Sequence, residues 1–170
     1  MASAVTVDTG KAIEQRAAAT AFDSSDLWLL CKAGSHRFAV PIVNVTEIMR
    51  MLPVEAVNGA PPIVRGLSVI RGAAVPVIDT GRVLGDETAR YERLIAVRTG
   101  ERAVALAASA VSGVQRIQES QRGELPPVLR DAEAIAALAR LDQELTFFLR
   151  VARALPDHFH IGNDAGLGVS

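Results

Sequence analysis

The amino-acid sequence predicts an all-β fold with short helices, arranged as barrels or a sandwich. Eight or more apolar runs of strand length follow one another closely between residues 26 and 155. Gly, Asn, Asp and Ser punctuate them at hairpin spacing. No segment between them carries the dozen-residue helical pattern that a βαβ crossover needs. At 170 residues, two small barrels fit the length as well as one larger one.

Leu27 to Lys32 is a compact apolar run, Gly34-Ser35 a turn, and His36 to Val40 a second run, together a first hairpin. From Pro41 the period changes. Ile42, Val45, Ile48 and Met49 fall on one helical face and Asn44, Glu47 and Arg50 on another, so a short amphipathic helix is predicted, with Pro41 in its first turn and Glu47 and Arg50 spaced as a weak surface ion pair. After the Asn58-Gly59-Ala60-Pro61-Pro62 punctuation, the runs Leu67 to Arg71 and Ala74 to Asp79 flank Gly72-Ala73 as a second hairpin. Pro76 has no N–H to give to a ladder, which places its strand at an edge, at a bulge, or with this position turned from its neighbour. Thr80 to Leu84 reads as one or two helical turns, capped by Asp79 and closed by Gly85.

Leu94 to Arg98 and Arg102 to Ala107 form a third hairpin about Thr99-Gly100-Glu101, and Val111, Val114 and Ile117 mark a further strand that Gly113 weakens. Residues 118 to 130 are polar and read as a loop. Ala134 to Leu141 is helical by propensity alone, whereas Asp142-Gln143 followed by Glu144 to Leu149 favours a hairpin, and both readings stand. A short helix from about Val151 to Leu155 ends the folded part. Residues 1–25 are expected to be a flexible leader, 26–155 the folded domain in two subdomains, and 156–170 a flexible glycine-rich tail.

Composition removes several functions. With 18 Lys+Arg against 19 Asp+Glu the net charge is -1, so no positive field draws the chain to nucleic acid or an anionic membrane. Aromatic residues amount to 4%, too few for a base-stacking platform. No apolar run approaches the roughly 18 residues of a spanning helix and no basic, apolar leader opens the chain, so cytoplasmic residence without membrane insertion is expected. The single cysteine, Cys31, excludes an internal disulfide and any Cys-rich zinc site. No phosphate-binding loop or dinucleotide fingerprint is present. His158 and His160 lack a third ligand and read as incidental. Cys31 and His36 flank a hairpin turn, but Cys31 lies within an apolar run and reads as a small buried hydrophobe. No catalytic residue, cofactor or metal is expected. Arg71, at a hairpin end before Gly72, is either an ordinary solvated arginine or a guanidinium that a rigid turn presents to a carboxylate.

One ordered series of motifs goes further. Val40-Pro41-Ile42, Val45-Thr46-Glu47-Ile48, Asn58 to Gly66, Ile70-Arg71-Gly72 and Val75-Pro76-Val77-Ile78-Asp79 resemble, in sequence and spacing, the bacterial chemotaxis coupling-protein family, the CheW-like domains. The resemblance continues through Leu94 to Ala107, Val111-Ser112-Gly113-Val114, Ala139-Arg140-Leu141-Asp142 and Phe148-Leu149, and spans about Asp26 to Leu155. It implies two small five-stranded SH3-like β-barrels packed on a shared core. It also implies an adaptor that couples the cytoplasmic tip of a chemoreceptor to the regulatory domain of a CheA-type histidine kinase.

Val45 and Glu47 match a family helix at a partner surface, and Arg71 and Gly72 match the family's N-L-R-G-like turn, here Val69-Ile70-Arg71-Gly72. Ser109 and Arg150 stand where the family usually carries aspartate, or asparagine at the second. Two other readings are a CheW-like adaptor of a pilus-motility or other non-flagellar system, and a small β-barrel enzyme using Cys31, His36 or an acid.

Overall fold

The computed structural model describes residues 24–155 and 157. The leader and tail expected from sequence, apart from Ser24, Ser25 and Asp157, lie outside these residues, as do His158 and His160. Ten strands make two five-stranded sheets. β1 (Leu27–Ala33) and β2 (His36–Pro41) form the first hairpin about Gly34-Ser35. β3 (Val45–Arg50), β4 (Val64–Ile70), β5 (Ala73–Ile78), β6 (Arg93–Thr99) and β7 (Arg102–Ala108) follow. The chain then returns to the first sheet with β8 (Ala110–Arg116), β9 (Ile135–Leu141) and β10 (Glu144–Leu149). The strand orders are β8-β1-β2-β10-β9 and β3-β6-β7-β5-β4, which we term barrel one and barrel two. Barrel two is thus a continuous stretch, inserted between β2 and β8 of a barrel one drawn from both ends of the folded chain.

This layout explains the unbroken apolar runs. In β1, Trp28 and Leu30 face the interior of barrel one with Ala39, Ile117, Ala139, Leu141 and Phe148. Leu29, Cys31 and Ala33 face a second core that also takes Val64, Ile78, Ile95, Val97, Val104 and Leu106 from barrel two. A strand buried on both faces needs apolar residues at successive positions. Barrel two has its own interior of Val75, Val77, Leu94, Ala105 and Ala107. Both subdomains therefore share one layer of buried side chains. The last turn, Val151–Arg153, adds Val151, Ala154 and Leu155 to that layer.

The expected all-β class, all three hairpins and the strand marked by Val111 and Val114 are present, that strand ending one residue before Ile117. α1 (Thr80–Leu84) is capped as anticipated: Asp79 accepts a hydrogen bond from the Arg82 N–H at 3.0 Å, and Gly85 closes it at φ 89°. The helix expected over Pro41 to Arg50 is absent. A 3-10 turn, Ile42–Asn44, leads directly into β3, whose residues alternate half-buried and exposed. A bulge between Val45 and Glu47 in the pairing with β6 changes the face that β3 buries, so Val45 packs on the shared core, Met49 on the interior of barrel two, and Ile48 stays exposed. Apolar residues at 45, 48 and 49 thereby imitate a helical period. The ambiguous segment 134–141 is β9, paired with β10 about Asp142-Gln143, both at positive φ as a two-residue hairpin turn requires. Pro76 pairs only with Leu67 of β4, and the parallel ladder to β7 is confined to Val77 and Ile78.

Candidate partner-binding surface

β3 and β4 are the two outer strands of barrel two. Curling of the sheet brings the middle of β3 beside the β4–β5 turn, and there Arg71 Nε donates to Glu47 Oε2 at 2.7 Å. The helical pairing of Glu47 with Arg50 does not occur, because strand geometry puts Arg50 opposite Arg93. Glu47 is one-third exposed at its side chain and Arg71 four-fifths exposed. Arg71 adopts φ 50° and Gly72 φ 80°, a left-handed pair that produces a tight turn and lifts the guanidinium off the sheet. The hydrogen bond and the charge of Glu47 both favour the protonated guanidinium and raise its pKa.

The structure thus unites Glu47, Arg71 and Gly72 and sets Val45 apart. Val45 is half-buried and packs against the shared core, on the far side of the bulge from Glu47. It and Glu47 belong to a strand, not to a helix. Val69, 68% exposed, flanks the turn and lines a groove of about 370 Å³ with Leu52, Pro53, Leu67 and Ala74. Sequence reasoning placed Val69 in the turn motif but did not count it among the partner-binding residues. Its place opposite Ala74, beside the turn, was the available signal.

At the opposite end of the β4–β5 hairpin, barrel two is stiffened by a polar cluster that the sequence reading also missed. Tyr91, the chain's single tyrosine, donates to Asp79 and accepts from the Gly81 N–H at 2.9 Å. Arg65 lies over its ring at 5.0 Å and donates to Asp79 at 3.4 Å. Burial, then the hydrogen bond to Asp79, raises the tyrosine's pKa. These contacts anchor the start of α1 and leave no free base.

Nothing in this arrangement resembles a reactive centre. Cys31 is fully buried and desolvation pushes its thiol up to about 12, so the thiolate required for attack does not form near neutrality. In the hairpin register Cys31 opposes Phe38 and His36 opposes Ala33, so the two are not paired. Among the described residues no group of three His, Cys, Asp or Glu side chains is placed to hold a metal ion, and no helix is long and apolar enough to cross a membrane.

A family model of the CheW-like domain matches residues 27–158. The chain belongs to the CheW-like domain family. It is 30% identical over 106 residues to a probable chemotaxis protein CheW of Rhizobium etli, covering 60% of this chain and 68% of that protein. It is 23% identical over 133 residues to the chemotaxis protein CheW of Klebsiella aerogenes, covering 75% and 80%. The fold matches the crystal structure of the scaffolding protein TtCheW from Thermoanaerobacter tengcongensis at a TM-score of 0.66 with 21% identity, over 75% of this chain and 90% of that one. The two five-stranded sheets are accordingly the paired SH3-like barrels of a CheW-like domain.

Proposed function

We propose that this protein is a cytoplasmic chemotaxis coupling scaffold that joins the tip of a chemoreceptor to the regulatory domain of a CheA-type histidine kinase, without catalysis of its own. The observation that carries the reading is the family match across the whole folded region, set beside an exposed, conformationally fixed Glu47–Arg71 pair on barrel two. A scaffold works by holding partners at high local concentration and favouring one conformation of the kinase. It needs rigid presentation, and reactive groups add nothing. The shared core and the clasped turns supply that rigidity.

In this proposal Glu47, Arg71 and Gly72 form the contact, and Val45 fixes β3 to the core so that Glu47 is held at the turn. Arg71 is mostly solvated and paired to a single carboxylate oxygen, which leaves its remaining donors for a partner's acceptor. Calorimetric titration of the kinase regulatory domain and of a receptor-tip fragment with the wild-type chain and with Arg71→Glu tests the assignment. Binding to at least one partner should weaken tenfold or more while the circular dichroism spectrum is retained. Unaltered affinity for both would remove Arg71 from the contact.

A further inference from the structure

Asn58-Gly59, a turn signal in the sequence, takes no part in the contact at Arg71. The pair stands in the loop between β3 and β4, and both residues are exposed. The loop is fixed on either side of them. Glu55 exchanges two backbone hydrogen bonds with Leu67 at 2.8 Å, and the Val64 N–H donates to the Pro61 carbonyl at 2.9 Å. Between these anchors one long bond, from the Ala60 N–H to the Val57 carbonyl at 3.3 Å, closes the turn.

Neither the Asn58 side chain nor the Gly59 N–H has a hydrogen-bond partner among the described residues. Gly59 adopts φ 78°, and a Cβ placed on it meets nothing within 4 Å, so no neighbouring group crowds the junction. The chain's other asparagines differ. Asn44 donates its side-chain N–H to the Arg98 carbonyl at 3.0 Å and precedes the branched, half-buried Val45. Asn163 lies outside the described residues.

We propose that Asn58-Gly59 is a modification site at which the chain deamidates spontaneously, with water as co-reactant and isoaspartate as the main product. The Gly59 nitrogen loses its proton to base and attacks Cγ of Asn58. The new N–C bond closes a five-membered succinimide, and the bond from Cγ to the side-chain nitrogen breaks, releasing that nitrogen as ammonia. Water then opens the ring at either carbonyl: cleavage at Cγ leaves aspartate, and cleavage at the main-chain carbonyl leaves isoaspartate. Glycine has no side chain to screen its own nitrogen from attack. Opening the turn forfeits one long hydrogen bond, a small loss where water replaces it. The product carries a carboxylate in the stretch 56–64, which has no charged residue. Isoaspartate also lengthens the backbone by one carbon between the anchors at Glu55 and Pro61, and Glu55 lines the groove beside Val69.

The folded full chain is incubated at physiological pH and temperature, and conversion at each asparagine is followed by peptide mass spectrometry. Isoaspartate is counted by methyl transfer from S-adenosylmethionine with an isoaspartyl methyltransferase, and a synthetic peptide of residues 55–61 is the reference. Asn58 should convert at a rate within tenfold of the peptide's, with isoaspartate exceeding aspartate and Asn44 unchanged, and Gly59→Ala should slow it at least fivefold. A rate in the folded chain more than tenfold below the peptide's, aspartate as the sole product, equal conversion at Asn44, or an undiminished rate in Gly59→Ala overturns the proposal. Should Gly59→Ala lose the far-ultraviolet spectrum of the fold, Asn58→Gln decides: it keeps the amide but needs a six-membered ring, and conversion there at the wild-type rate is equally contrary.

Discussion

Asp86 ties barrel two to the β1–β2 turn of barrel one. Its carboxylate accepts from the Ser35 N–H at 3.1 Å and the Ser35 hydroxyl at 3.2 Å, and from the N–H and hydroxyl of Thr88. The bond from the Ser35 backbone, then those from Thr88, lower its pKa to about 2. A carboxyl with a depressed folded-state pKa adds stability above its unfolded value of about 4, and that contribution is lost as pH falls through the folded value. In thermal melts between about pH 4 and pH 2, Asp86→Asn should therefore lose stability less steeply than the wild type. Equal slopes would show that the clasp is not coupled to folding. Gly72 gives a second expectation at this scale. Its φ is 80° and a Cβ there meets nothing within 4 Å, so Gly72→Val should cost about 1–2 kcal/mol in denaturant unfolding from backbone strain alone. A neutral substitution would mean that the turn readily adopts another form.

At the scale of elements, hairpins were the most legible part of the sequence, because Gly34-Ser35, Gly72 and Gly100 mark turns by backbone chemistry that tertiary context rarely overrides. β3 was not legible. Its one-residue bulge sets Val45 toward the shared core and Met49 toward barrel two's interior and leaves Ile48 42% exposed, so its burial is governed by three environments and not by one helical face. The alanines of β9 misled for a related reason: Ala137 and Ala139 are small because Trp28 and Phe148 fill barrel one, and packing overrode helix propensity. At the candidate site, the Arg71-Gly72 turn could be read from sequence, whereas its pairing with Glu47 across two outer strands could not. Edge protection adds a prediction. Glu55 and Leu67 exchange two backbone hydrogen bonds at 2.8 Å beside Gly66, where a Cβ would lie 1.9 Å from the Glu55 carbonyl oxygen. Gly66→Ala should cost about 1–3 kcal/mol and speed amide exchange at Glu55 and Leu67. Unchanged exchange at both would show that the loop does not cover the edge of β4.

For the whole molecule, the layer of side chains common to both barrels makes their stabilities inseparable. Trp28 reports barrel one and the single Tyr91 reports barrel two. Unfolding followed by Trp28 fluorescence and by Tyr91 near-ultraviolet absorbance should give coincident transitions. Leu106→Ala, in the shared layer, should lower both together by about 2–5 kcal/mol. Separate midpoints would mean that the barrels are independent domains. Which strands share a barrel was hidden from the sequence, since β8 rejoins β1 only after five strands of the other sheet.

The central claim is that this rigid pair of barrels acts through its exterior as a coupler. Kinase autophosphorylation, measured with a receptor fragment present and this chain included or withheld, addresses it most directly. Receptor control of the kinase should require the chain and be impaired by Arg71→Glu. Equal receptor control with and without the chain would contradict it.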